Sequence, residues 1–395
     1  MTFLATELAD WAANLAPTAE DLDLAQRSLV DTVAVAIAGR DEAAVHVAAA
    51  LPEAARWATA AHVLDFDDLH MQSTTHISVV CLPAALACGG GARAYLAGAG
   101  VMARLGTALG WSHYSAGWHA TTTAGAPAAA VAAGVAMGLD ARQLATAIAL
   151  AVPAAGGVQR AFGTDAKSLQ IGFAAEAGVR AAGLAAAGAT ADPGALDAWL
   201  ELIGGDPTAV DLGGPAVPGG LAIKVFPCCY ALQRPISALS GVGAGAIDPA
   251  DVRRVVVRTP KGTVAPLIHR RPSTGLQGKF SMEYAVAVAL LDEEPGFWSF
   301  TDDAVRRPEA QRLVDLVEVE LGNSGDWLLA GEFEADVHLG TEVVSVREQF
   351  PPGSPQRPPT HEELMRKARE CLRGTDLDPT TITWSNAGQL LRDHL

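Results

Sequence analysis

Between Ala61 and Pro83 the chain reads AHVLDFDDLHMQSTTHISVVCLP, with three aspartates (Asp65, Asp67, Asp68) and three histidines (His62, His70, His76) ahead of an apolar run. Aspartate and histidine together can move protons, because a carboxylate orients an imidazole and stabilises its charged form. The same types can hold a metal, with Asp65, Asp68, His70 and His76 as ligands, or form a solvated surface loop. DFDDLH has the spacing of neither an HExxH helix nor an EF-hand loop. Acid–base chemistry is the reading best supported, because reactive groups recur in similar settings further on.

Four later stretches supply them. SHYSAGWHATTTAGAP (112–127) sets His113 and His119 around an aromatic pair, then leads Thr121, Thr122 and Thr123 into a helix. A helix N-terminus favours anions, so Thr121 and Thr123 are expected to bind a carboxylate; a plain N-cap with a packed histidine is the alternative. GTDAKSLQIG carries Lys167 and IKVFPCC carries Lys224. The chain has only five lysines among its 28 basic residues. Lys167 and Lys224 stand in Gly- and Pro-bounded loops, where each is either a cation for a carboxylate or a solvated side chain. RRPSTGLQGKFSMEYAV adds Arg271, Lys279, Ser281 and Tyr284 in a Gly-containing loop before a helix, suited to an anion or a mobile lid. No GxGxxG or GxxxxGK[ST] occurs there, so nucleotide binding is not indicated. DFDD also matches the DxDD acid of some terpene cyclases, which keeps a metal-dependent cyclase or hydrolase as an alternative.

Helical signals dominate the elements that must position these groups, as far as about Ser240. Thr18 and Asp21 form an N-terminal cap before an apolar 3.6-residue pattern that ends at Gly39. AYLAGAGVMARLGTALG, ARQLATAIALAV and IGFAAEAGVRAAGLAAAG repeat that pattern with small residues that let backbones approach closely. The stretch 123–139 is apolar but somewhat short for a span of roughly 20 residues, and is read as a buried helix. After Gly241, VRRVVVRT (252–259), VEVEL (317–321) and EADVHLGTEVVSVREQ (334–349) read as strands, with FSMEYAVAVALLD a helix between them. FPPGSPQRPP (350–359) is a linker by composition, and Thr360 with Glu363 caps a last helix. The expected architecture is mostly α: a large helical domain from residues 1–240 and 356–395, with a smaller α+β lid domain over 241–355.

The 395 residues are half hydrophobic and carry a net charge of −16, so binding to nucleic acid or to an anionic membrane is not expected. The start, MTFLATELADWAANLAP, lacks the basic and then apolar run of a secretory signal. Cys81, Cys88, Cys228, Cys229 and Cys371 form no CxxC pair, which fits a reducing cytoplasm without a disulfide framework.

AHVLDFDD, the HIS at His76, LPAALA, HYSAGWHATTTAG, GTDAKSLQIG, KVFPCC and GLQGKFSMEYAVAVALL, in this order over about Ala61 to Leu291, resemble the MmgE/PrpD family. That family includes 2-methylcitrate dehydratase, cis-aconitate decarboxylase and an iminodisuccinate epimerase. The resemblance implies a helical domain built from both chain ends, an α+β lid, a homodimer and no cofactor or metal. It places active-site positions on Asp65, His76, His119, Lys167, Lys224 and Tyr284. It implies a lyase, dehydratase-like, acting by acid–base chemistry beside a carboxylate of a small polycarboxylic acid; decarboxylase, epimerase and non-catalytic binder are the alternatives. The chain departs from the family where Gln233 stands at a usual His, where Thr122 replaces a common Gly, and in a shortened stretch between Gly39 and Ala61.

Overall fold

The computed structural model describes residues 2–323, 325, 327 and 330–395. It is 56% helical, with one small mixed sheet. The chain divides into two compact units, residues 1–223 with 360–395, and residues 224–359.

The first unit is helical throughout. Thr18 and Asp21 form a reciprocal capping box at the head of the helix Ala19–Ala38. The helices Ala120–Ala136, Ala141–Ala151 and Ala166–Ala186 meet through alanines, among them Ala126, Ala130, Ala147, Ala174 and Ala181. The apolar stretch beginning at Thr123 lies in the first of these, which is buried from Ala120 to Gly134. Side chains this small leave little apolar area per residue, so burial has to come from close backbone approach. Gly172 shows how close: a Cβ there would stand 2.5 Å from Thr59 Oγ1 and 2.6 Å from the Ala55 carbonyl oxygen. That contact lays the helix Glu53–Val63 against Ala166–Ala186, so the last turn of one, with His62, meets the first turn of the other, with Lys167.

Residues 360–395 complete this unit. Thr360 and Glu363 form a further reciprocal box, heading the helix His361–Cys371. That helix packs on Ala19–Ala38.

The second unit holds a four-stranded sheet in the order β2-β1-β3-β4. Strand β1 (Arg254–Pro260) pairs parallel with β2 (Val317–Gly322) and antiparallel with β3 (Phe333–Leu339). The single run expected over 334–349 is a hairpin, in which β3 and β4 (Glu342–Glu348) are joined at Gly340, with φ +71°. The helices Gln233–Ala246 and Met282–Leu291 supply Ile236, Leu239, Tyr284 and Val288 to a core with Val255, Val257, Phe333 and Val337. Helix Gln233–Ala246 therefore belongs with the sheet, and the divide falls at 223/224 rather than 240/241. The Pro-rich stretch 350–359 is an ordered turn, with residues 351–354 buried and the Arg357 N–H bonded to the Ser354 carbonyl. Among the described residues no helix is long and apolar enough to cross a membrane.

Candidate active site

The acidic loop leaves helix Glu53–Val63 with Asp65 at φ +55°. Thr74, nine residues on, has φ +54°. Neither residue has glycine's freedom, and a β-branched residue there is rarer still. Such conformations cost of order 1–3 kcal/mol and persist where the surroundings over-determine them. His70 supplies part of that constraint. Its Nε2 donates to the Pro218 carbonyl at 2.7 Å, and its Nδ1 lies 2.7 Å from Ser73 Oγ. Asp68 accepts from the backbone N–H and the hydroxyl of Ser78. Both residues are therefore turned into the loop's own framework. The ligand set Asp65, Asp68, His70 and His76 does not assemble.

Asp67 is the hub instead. Its side chain is wholly buried, with Oδ2 2.9 Å from His62 Nδ1 and 2.8 Å from His76 Nδ1. The His62 contact has hydrogen-bond geometry; His76 Nδ1 and Asp67 Oδ1 make no aligned hydrogen bond among the described residues. Burial alone would raise the Asp67 pKa, but the two imidazoles outweigh it and hold the group well below the carboxylate range. Burial pushes His62 down to about 4, and the Lys167 charge adds to this against the pull of Asp67. Neutral His62 thus carries its proton on Nδ1, facing Asp67, and its Nε2 accepts from Lys167 Nζ at 3.0 Å. Lys167 Nζ also donates to Asp65 Oδ1 at 3.2 Å. Carboxylate, imidazole, ammonium and carboxylate form one chain, Asp67–His62–Lys167–Asp65.

His119 caps the helix Ala120–Ala136 and stands with its ring 6.2 Å from that of His62. Its Nδ1 accepts from Gln170 Nε2 at 2.6 Å, so its proton sits on Nε2. Burial, with the Lys167 charge adding to it, holds its pKa well below the usual value. Phe162 stands edge-on to this ring at 5.0 Å and 5.7 Å from Lys167 Nζ. Of these three imidazoles only His76 has an appreciably exposed side chain, 13% against none for His62. The threonine hydroxyls are already engaged. Thr121 Oγ1 accepts the His76 backbone N–H at 3.1 Å, while Thr123 Oγ1 donates to the His119 carbonyl and lies 3.2 Å from His113 Nε2. They fix the backbone of the two histidines. Thr122 fits because residue 157 is glycine with φ +114°; a Cβ there would come within 1.9 Å of Thr122 Oγ1.

The first unit thus brings together Asp65, His76, His119 and Lys167, and adds His62, Asp67 and Gln170. His62 and Asp67 lay inside the stretch first singled out, but sequence spacing does not say which of three carboxylates turns inward.

The remaining positions lie in the second unit. Lys224 opens it and is buried. The next residues are clamped by Gln233, whose Oε1 accepts from the Val225 and Phe226 N–H groups at 3.0 Å each, and whose Nε2 donates to the Phe226 carbonyl at 2.9 Å. Tyr284 is fully buried and donates its hydroxyl to the Ser299 carbonyl. Burial raises its pKa to about 12. Ser281 caps the helix Met282–Leu291 by accepting the Tyr284 N–H. The Lys279 carbonyl accepts from the Cys229 N–H, and exposed Arg271 pairs with Asp315 at 2.9 Å. Within their unit, Tyr284, Ser281 and Arg271 are thus committed to local partners.

A carboxylate-held imidazole beside a lysine ammonium is an arrangement that can move protons next to an anion. The MmgE/PrpD N-terminal domain matches residues 50–199 and the MmgE/PrpD C-terminal domain residues 226–377. The chain belongs to the MmgE/PrpD family. The cis-aconitate decarboxylase of Aspergillus terreus is 25% identical over 362 residues, covering 80% of this chain and 73% of that protein. The cis-aconitate decarboxylase of Homo sapiens is 27% identical over 219 residues, covering 51% and 45%.

Proposed function

We propose that the chain is a cofactor-independent lyase that works by acid–base chemistry at carbon next to a carboxylate of a small polycarboxylic acid. The supporting observation is the Asp67–His76 pair beside Lys167. With Asp67 ionised behind it, His76 carries its Nδ1 proton toward the carboxylate and offers Nε2 to substrate. Lys167 has three N–H donors; His62 and Asp65 take two, and the third serves a substrate carboxylate. In a dehydration, His76 Nε2 takes the α-proton and an acid protonates the departing hydroxyl. In a decarboxylation, the C–C bond breaks and CO₂ leaves. The electron pair stays on the α-carbon and takes up the Nε2 proton of His76, which must enter this step as the imidazolium, its charge balanced by Asp67, and leaves it neutral. Neutral His119, with its proton on Nε2, acts as a hydrogen-bond donor to the charge that develops. Lys224, Arg271, Lys279, Ser281 and Tyr284 stay candidate positions of the second unit through the family resemblance alone. The two decarboxylase relatives support placing elimination or decarboxylation ahead of epimerisation.

One observation favours a second reading. His62, Asp67 and His76 place three ligand atoms within 4.8 Å of one another. A divalent ion there would meet the Lys167 ammonium, 3.0 Å from the far nitrogen of His62, so the metal-free reading is preferred.

The test is incubation with citrate-, aconitate- and aspartate-like acids in D₂O, with and without EDTA, read by NMR. New alkene signals identify a dehydratase, released CO₂ with deuterium at the α-carbon a decarboxylase, and exchange without net loss an epimerase. Turnover abolished by EDTA and restored by a stoichiometric divalent ion would replace this reading with the metal one. Absence of any reaction or exchange overturns both.

A further inference from the structure

Lys367 lies on the helix His361–Cys371, and its side chain is only 5% exposed. Its Nζ donates to the Phe66 carbonyl at 2.7 Å, pairs with Asp31 Oδ1 at 2.6 Å and sits 3.9 Å above the Phe66 ring. A buried ammonium is costly to desolvate, and the Asp31 pair alone accounts for its neutralisation. The pair does not account for the second bond, which goes to one particular peptide. The Phe66 carbonyl belongs to the peptide that joins Phe66 to Asp67. Fixing its plane fixes the direction in which Asp67 leaves the backbone. On its other side is Asp65, in the left-handed region at φ +55°. The two carboxylates that end the chain Asp67–His62–Lys167–Asp65 thus flank the residue that Lys367 grips.

We propose that Lys367 is a positioning residue for the acid–base site: by holding the Phe66–Asp67 peptide it aims the Asp67 carboxylate at His62 and His76. This rests on the acid–base reading above.

Lys367→Met alone strands the Asp31 carboxylate and invites misfolding. The test therefore uses Lys367→Met combined with Asp31→Asn, which removes both charges at similar volume, and Lys367→Arg, which keeps charge and donors. The first readout needs no substrate. In ¹⁵N-histidine-labelled protein, the His62 Nδ1–H held by Asp67 gives a downfield proton resonance, assigned by its loss in His62→Gln. The second readout is kcat and KM with cis-aconitate as the probe. The double variant should shift or lose that resonance and lower kcat by about tenfold or more, with KM little changed. Lys367→Arg should restore both in part. A lower melting temperature with an unchanged resonance, or with unchanged kcat, overturns the proposal. If wild-type protein turns over no acid, the functional reading fails, and the resonance alone decides whether Lys367 positions Asp67.

Discussion

At the scale of single residues, His76 is the proposed proton carrier and the most exposed of the imidazoles around Asp67. Replacing it with Gln keeps a polar side chain but removes the imidazole. His76→Gln should lower kcat by about 10²-fold or more with the fold retained, measured by steady-state kinetics alongside circular dichroism. Near-normal turnover would return the loop to a structural role. The buried titratable groups also set how stability depends on pH. His62 and His70 are both held down to about 4, chiefly by burial, against an ordinary value of 6.5. Unfolding lets each take up a proton between pH 6.5 and 4, so their contribution is complete above about 6.5 and lost as pH falls through that window. Asp68 runs the other way. Burial raises it to about 7, so below that the folded state keeps a proton that the unfolded chain releases. His119 is held down as well, so the histidines outweigh Asp68 and stability should fall as pH drops from 6.5 to 4. His62→Gln should flatten that slope and Asp68→Asn should steepen it, as read from urea midpoints across pH. Equal slopes in all three proteins would remove the assignment of these shifts.

At the scale of elements, two small contacts set larger ones. Gly157 clears the space that Thr122 occupies at the head of helix Ala120–Ala136. Gly157→Ala should destabilise by roughly 1–3 kcal/mol through clash and positive φ. Adding Thr122→Gly removes the clash but not the φ penalty, so the double variant should recover part of the loss. Strict additivity in that thermal-melt cycle would mean the two residues do not compete for space. Gln233 stands where the family resemblance leads one to expect His, and its amide satisfies two backbone N–H groups and one carbonyl beside Lys224. A histidine cannot accept two hydrogen bonds and donate a third in that pattern as a neutral ring. Gln233→Leu leaves all three unmet at about 1–3 kcal/mol each. We expect a fall in the denaturation midpoint and a loss of activity, with Gln233→Glu intermediate because it accepts but does not donate. A Leu variant as stable as wild type would show that the clamp contributes nothing.

At the scale of the whole molecule, the helical character and the sheet were legible because both rest on periodicity. The capping boxes at Thr18 and Thr360 were legible because they are local. Asp67, His62 and Lys367 were not, since each role depends on a partner that spacing does not reveal. The hairpin at Gly340 was hidden because its strands run on in one alternating pattern. Association belongs to this scale too. Phe173 and Leu184 stand 52% and 48% exposed on helix Ala166–Ala186, and Leu202 is 85% exposed. Apolar side chains left open on a helical unit favour a two-fold contact. Light scattering at micromolar concentration should give twice the mass of the chain, and a monomer mass would count against a homodimer.

The grip of Lys367 on Phe66 has a consequence for how the protein is made. The two residues are 301 positions apart. At roughly 5–20 residues per second a ribosome needs about 15–60 s to travel between them. All of residues 224–359 emerge in that interval and can fold first, while the earlier helices wait with their acidic loop unanchored. The acidic loop is among the first parts synthesised and among the last to be set. A nascent chain stalled before residue 360 should carry a protease-resistant second unit beside a first unit that is still readily cleaved near Asp65.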